Sequence, residues 1–310
     1  MSDPRPVAPS RTALLTAFAL VYLIWGSTYL VMKLAVASMP PLLMAGTRYG
    51  LAGGLLYGFM RWRGEPAPTR RGWGYAALIG VCLLGFGNGG TTLGVMYLPS
   101  SITALLVATV PMFLAVLGWL SGISARPTRW VWLGLAVGML GIYLLAAHPT
   151  AAPVKVPGHQ GLGLGVVLLA SLVWSIGSLY ARNHQPAQSP FTSGGMQMLC
   201  GGAAMLVVGL LRGEAEGFGL AQVTAKSWLA FGYLVTLGSI VAFSAYIWLL
   251  REVQPALAGT YAFVNPVVAV LLGWGFAGEQ LNPQMLGGAA LIVLAVGLVV
   301  LGGGKYIPKN

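Results

Sequence analysis

Charge is what this chain has least of. Of its 310 residues only 7% are Asp, Glu, Lys or Arg, against about 25% in a typical soluble domain. So few charges cannot clothe the surface of a water-soluble fold. Carboxylates are scarcest: Asp3, Glu65, Glu214, Glu216, Glu252 and Glu279 all fall in a tail, in a loop or at the end of an apolar stretch. His148, His159 and His184 also lie at or beyond such ends. No metal-binding cluster or base at depth is available, which argues against an intramembrane enzyme and leaves metals and cofactors without a site. Proton-coupled carriers ordinarily need a titratable group inside the membrane, so facilitated diffusion or exchange is the expectation. The two cysteines, Cys82 and Cys200, sit inside apolar stretches and read as small buried hydrophobes rather than a disulfide.

What is present is apolar: 57% of residues are hydrophobic. About twenty mostly apolar residues cross a bilayer as a helix, and such runs recur near 12–32, 42–60, 73–96, 101–120, 129–147, 161–181, 191–211, 228–249, 256–277 and 284–302. Continuous runs, rather than ten-residue alternation, select helices over a barrel. The first run is longer than a secretory h-region and is followed by more spans, so it reads as a first transmembrane helix. The net charge of +11 does not indicate nucleic acid, because the basic residues sit in short loops. Twelve of the 17 fall on one side, from Arg5 and Arg11 through Arg61, Arg63, Arg70 and Arg71 to Lys305 and Lys309, against Lys33, Lys155, Arg212 and Lys226 on the other. The excess of Lys and Arg marks the cytoplasmic side, which predicts both termini there.

The two halves echo each other. "PMFLAVLGW" at Pro111–Trp119 and "PVVAVLLGW" at Pro266–Trp274 share P-x6-G-W, with Pro99 and Pro255 at the heads of their helices. Trp25 with nearby hydroxyls in the first run answers Trp174 with Ser175 and Ser178 in the sixth. Five helices per repeat force the second copy into the membrane from the opposite side, the inverted topology of many carriers, whose substrate sites lie near the midplane at the repeat interface. The expected fold is all-α and integral to the membrane: ten transmembrane helices in two inverted five-helix repeats around a central cavity. The boundaries are a tail over 1–11, a first repeat over 12–147, an external linker over 148–160, a second repeat over 161–302 and a tail over 303–310.

"WGSTYLVMK" (Trp25–Lys33), "MAGTRYGLAG" (Met44–Gly53), "PSSITALLVATVPMF" and "PALAGTYAFVNPVVAVLLGWGFAGE" together resemble the drug/metabolite transporter superfamily, and within it the ten-helix EamA-type bacterial carriers. The resemblance covers nearly the whole chain, and the ninth-helix motif with Glu279 is its most specific part. It implies a carrier in the bacterial inner membrane, usually an exporter of small metabolites such as amino acids, aromatic ones included. The same superfamily contains nucleotide-sugar and triose-phosphate exchangers. An exchanger of that kind is expected to face several basic residues into its cavity, and only Arg48, with Lys33 at a helix end, is available.

The candidate substrate site comes from polar groups placed where a bilayer helix would avoid them. Pro266 removes a backbone donor and frees the carbonyl of Ala262, a break tolerated where it lines a cavity or is satisfied by neighbours. Asn265 can serve either role, with Tyr261 one turn earlier on the same face. Pro111 repeats the break with Val110 in place of the amide, so Pro111 and Pro266 are the candidate hinges of alternating access. Arg48 is the one charge inside a span. It fits a carboxylate-binding cation or outer-gate element, and equally an arginine snorkelling outward or bonded to helix-end carbonyls such as those of the first helix. Trp25 with Thr28 and Met32, and Trp174 with Ser171 and Ser178, place mid-span tryptophans beside hydroxyls, fitting a cavity wall or helix packing. Asn88, with Thr91 and Thr92, is a weaker candidate of the same kind, and Tyr246 and Ser244 in the eighth run come after it. "GFGNGG" at Gly85–Gly90 is no dinucleotide fingerprint, since no strand precedes it, and "LGGGKY" at Leu301–Tyr306 is no phosphate loop. Without an ATP motif, the expected partners are a small-molecule substrate and the lipid bilayer, with no nucleic acid, and a pseudo-symmetric monomer suffices.

Overall fold

Helix starts in this chain are marked by side chains that accept from the free N–H groups of the first turn. The Ser10 hydroxyl accepts from Ala13, Thr69 from Gly72, Ser189 from Thr192 and Thr224 from Ser227. Prolines occupy first turns at Pro41, Pro190 and Pro255, where the missing N–H is not needed. In a computed structural model describing residues 9–98, 103, 106–146, 159–184, 188–277 and 283–302, these signals open a succession of helices.

They are α1 (Arg11–Ala35), α2 (Pro41–Trp62), α3 (Arg70–Gly80, running on through Val81–Asn88 into Gly89–Tyr97), α4 (Val110–Leu120), α5 (Arg129–Ala146), α6 (Gln160–Asn183) and α7 (Pro190–Leu211). Then come α8 (Ala225–Tyr233, running on through Leu234–Val241 into Ala242–Glu252), α9 (Tyr261–Ala277, after a single turn at Pro255–Ala258) and α10 (Pro283–Gly302). No strand occurs among the described residues. Five helices, α1, α3, α6, α7 and α8, are long and apolar enough to cross a membrane, while α4, α5 and α10 are apolar but shorter over their described lengths. Ten full spans were expected, and length and composition alone supply five. The 22 residues of α2 are diluted by Arg48, Arg61 and glycines. Pro99, Glu279, residues 1–8 of the first tail, all of the 303–310 tail and most of the 148–160 linker lie outside the described residues.

Glycines set which helices approach closest, as is usual in membrane bundles. A Cβ on Gly53 would lie 2.7 Å from the Gly195 carbonyl oxygen, and one on Gly46 would lie 2.9 Å from that of Gly202. These two contacts run α2 antiparallel to α7 at backbone-to-backbone distance. Gly134 meets the Ala295 carbonyl and Gly141 that of Gly288 in the same way, joining α5 to α10. Gly87 and Gly94 receive Trp174 and Val167, so α3 lies against α6.

The middle of α3 and the middle of α8 are both π-helical, over Val81–Asn88 and Leu234–Val241. A π segment widens the helix and redirects backbone carbonyls, and such segments concentrate at functional sites. Both turn toward the centre of the bundle.

Candidate functional site

A cavity of about 120 Å³ lies at that centre. A single water needs about 10–15 Å³ of such space, so there is room for more than solvent alone. Its walls come from six helices. Trp25, Thr28 and Met32 come from one face of α1, and Arg48 with Tyr49 from α2. The π segment of α3 and the turn after it supply Gly87, Asn88, Thr91 and Thr92, with Val110 from the start of α4. Ala170, Ser171 and Trp174 belong to α6, and Tyr261 with Asn265 to α9.

Four aromatic rings close one end. Trp25 stands edge-on to Tyr261 at 4.8 Å and 5.2 Å from Tyr246, and Trp174 lies 5.6 Å from Tyr246 and 5.9 Å from Trp25. Edge-to-face and tilted pairs at such spacings each add about 0.5–1.5 kcal/mol beyond their buried area. Hydrogen bonds fix the ring planes: Trp25 Nε1 donates to the Gly238 carbonyl at 3.1 Å, and Trp174 Nε1 donates to the Tyr246 hydroxyl at 3.1 Å. Beyond the rings, Tyr22 and Thr260 share a 2.5 Å hydroxyl contact. Farther toward the arginine-rich end, Arg182 donates to the carbonyls of Leu250 and Val253, and Arg251 to the Gln188 carbonyl and the Ser193 hydroxyl. These arginine bonds tie α6, α7 and α8 of the second half to one another at that end.

Arg48 is only 2% exposed. Its Nε donates to Ser239 Oγ at 2.8 Å and its guanidinium lies over the Tyr49 ring at 4.6 Å, while Nη1 is buried with no partner. Among the described residues, no hydrogen bond joins its side chain to a helix-end carbonyl of α1. Gly238 makes the room: a Cβ there would come within 3.1 Å of Nη2 and 3.3 Å of Thr28 Cγ2. The amide oxygens Oδ1 of Asn88 and Asn265 are also buried without a partner. Three polar side chains thus present unmet hydrogen-bonding capacity around one small space.

Seven of the eight nominated binding residues, Trp25, Thr28, Arg48, Asn88, Trp174, Tyr261 and Asn265, line this cavity together. Ser178 does not. It is fully buried behind the wall, donating to the Trp174 carbonyl at 2.8 Å and paired with the Tyr246 hydroxyl at 2.8 Å. Pro266 lies inside α9, whereas Pro111 stands in the first turn of α4, where the chain has already turned at Ala108–Thr109. The turn before α9 meets the start of α4, since a Cβ on Gly259 would lie 3.4 Å from the Cα of Pro111. Tyr49, Gly238 and Ser239 were not among the nominated residues. Small residues in an apolar run carry no mark of a π segment.

A many-helix membrane protein with a small polar-dotted cavity fed from both halves of the chain belongs to the class of membrane transporters. The profile of the EamA-like transporter family matches residues 12–147 and again 161–301. The chain belongs to that family. It is 42% identical over 292 residues to the uncharacterized inner membrane transporter YedA of Escherichia coli K12, covering 94% of this chain and 90% of YedA. It is 25% identical to the uncharacterized transporter YvbV of Bacillus subtilis, covering 94% of this chain and 92% of YvbV. It is 28% identical to protein PecM of Dickeya dadantii, covering 89% and 88%. A solved crystal structure superimposes with a TM-score of 0.78 at 16% identity, over 95% of this chain and 98% of the other, a likeness of fold.

Proposed function

We propose that this protein is a bacterial inner-membrane carrier that moves small amphipathic metabolites, foremost amino acids (aromatic ones included), by alternating access. The observation that carries this is the cavity itself. Trp25, Thr28, Arg48 and Asn88 come from the first half of the chain, and Trp174, Tyr261 and Asn265 from the second. A site shared between halves opens to one side or the other as the halves rock. The excess of Lys and Arg in the loops on one side supports an orientation with both termini in the cytoplasm.

Ten spans in two inverted repeats are the architecture this requires, with a monomer sufficient to transport. The 149 positions separating Trp25 from Trp174 also separate Gly46 from Gly195 and Gly53 from Gly202. Applied to the contact of Gly46 with Gly202, that shift returns the contact of Gly195 with Gly53, and both exist. An exchange of this kind is what a two-fold axis relating the repeats would produce, and it supports the inverted arrangement. No carboxylate is among the described residues of the cavity lining, which favours facilitated movement or exchange over tight proton coupling. Uptake of a labelled amino-acid panel into proteoliposomes, with and without an imposed pH gradient, tests the proposal. Accumulation above empty liposomes, indifferent to the gradient, is expected. Absence of uptake for every member would overturn the substrate assignment.

A further inference from the structure

We infer that Arg48 makes the cavity a carboxylate-selective site, so that the transported molecule must carry a carboxylate and organic cations without one are rejected. The inference deepens the carrier assignment above and rests on it for the location of the site. It begins from an imbalance. Arg48 is buried, permanently charged and held by one neutral hydroxyl and one aromatic ring. No described carboxylate pairs with it, and none lines the cavity. A buried cation without a counter-charge is costly in a low-dielectric interior. A protein that retains one in a cavity wall gains from it when an anion arrives.

The geometry suits a carboxylate. The guanidinium carries five N–H donors in a planar fork. Nε is engaged by Ser239, and Nη1 is buried and unpaired. Gly238 leaves the space that Nη2 occupies. A single arginine balances a single negative charge, whereas a phosphate monoester would leave a second one unbalanced in the same apolar space. The other unmet groups have the opposite need. Oδ1 of Asn88 and Oδ1 of Asn265 accept hydrogen bonds, and both lack donors. A molecule with a carboxylate at one end, an N–H-bearing group beside it and an aromatic or aliphatic body against Trp25, Trp174 and Tyr261 satisfies all three.

Four ligands with one aromatic body separate the charges: phenylalanine, phenylalaninamide, phenethylamine and 3-phenylpropionate. Calorimetric titration of each into the purified, detergent-solubilised protein is the experiment. Phenylalanine and 3-phenylpropionate are expected to bind, and the amide and the amine to bind at least about tenfold more weakly, the loss expected for a charge-assisted hydrogen-bonded pair. Arg48→Gln should erase the difference and Arg48→Lys should keep part of it. The comparison on the unaltered protein stands even where Arg48→Gln fails to fold. Equal binding of phenylalanine and its amide would overturn the inference while leaving amino-acid transport intact. Binding of 3-phenylpropionate without phenylalanine would uphold it and remove the amino-acid assignment. Silence from both carboxylates would overturn both.

Discussion

Arg48 of α2 reaches Ser239 in the π-helical segment of α8, Nε to Oγ at 2.8 Å across 191 positions of sequence. The bond holds the only described cation of the cavity wall in place. Removing the hydroxyl leaves a buried charged donor unsatisfied, a loss of about 1–3 kcal/mol. Ser239→Ala is therefore expected to lower the midpoint of thermal unfolding in detergent and to raise the KM for uptake more than it lowers kcat. Unchanged unfolding together with unchanged KM would show that the ring of Tyr49 suffices to hold the guanidinium.

Asn265 invites the opposite experiment. Its Oδ1 is buried and has no partner, so Asn265→Ala breaks no hydrogen bond of that oxygen and relieves a buried polar group. Stability is expected to stay level or rise while uptake falls, because the acceptor turned to the cavity is gone. A variant that loses uptake only because it no longer inserts or folds would reassign Asn265 to packing. Size-exclusion behaviour and uptake measured on the same preparation distinguish the two.

These pairs show how far the sequence could be read. Tryptophan and asparagine at mid-span contradict the bilayer, so Trp25, Trp174, Asn88 and Asn265 announced themselves by being out of place. Arg48 did the same, although its partner did not. Ser239 sits in "TLGSIV" (Thr236–Val241), where a small residue in an apolar run means nothing until α8 widens into a π-helix against α1 and α2. Ser178 misled for a related reason. It lies one turn from Trp174, and helical spacing gives a shared face without saying which neighbour that face meets. In the fold that neighbour is Tyr246, behind the cavity wall. Pro111 was legible as a helix breaker, but local spacing could not tell a break inside a helix from one at its start.

The glycines of α2 provide a contrast within one turn of helix. A Cβ on Gly53 would meet the Gly195 carbonyl oxygen and the Leu199 amide nitrogen, both at 2.7 Å, and backbone cannot step aside. Gly50 has nothing within 4 Å. Gly53→Ala is expected to push α2 from α7 and cost about 1–3 kcal/mol or more. Gly50→Ala, which gains helix propensity of about 1 kcal/mol, should be neutral or stabilising. Thermal unfolding of the two variants side by side is the check, and equal midpoints would mean that the α2–α7 approach is looser than described.

Glu65, in the loop after α2, ties that loop to the start of α7. Burial works against its charge, but hydrogen bonds from the Ser189 and Thr192 hydroxyls and the Ser189 backbone outweigh it, so its pKa lies below the ordinary 4.5. A carboxyl whose pKa is lower in the folded than in the unfolded protein binds fewer protons when folded. Its contribution to stability is therefore complete above the ordinary carboxylate value and is lost as the pH falls through the folded-state value. The unaltered protein should melt at a lower temperature in acid than at neutral pH, and Glu65→Gln should remove part of that difference while leaving ligand binding in the distant cavity as it was. An acid destabilisation of the same size in Glu65→Gln would locate the titrating group elsewhere.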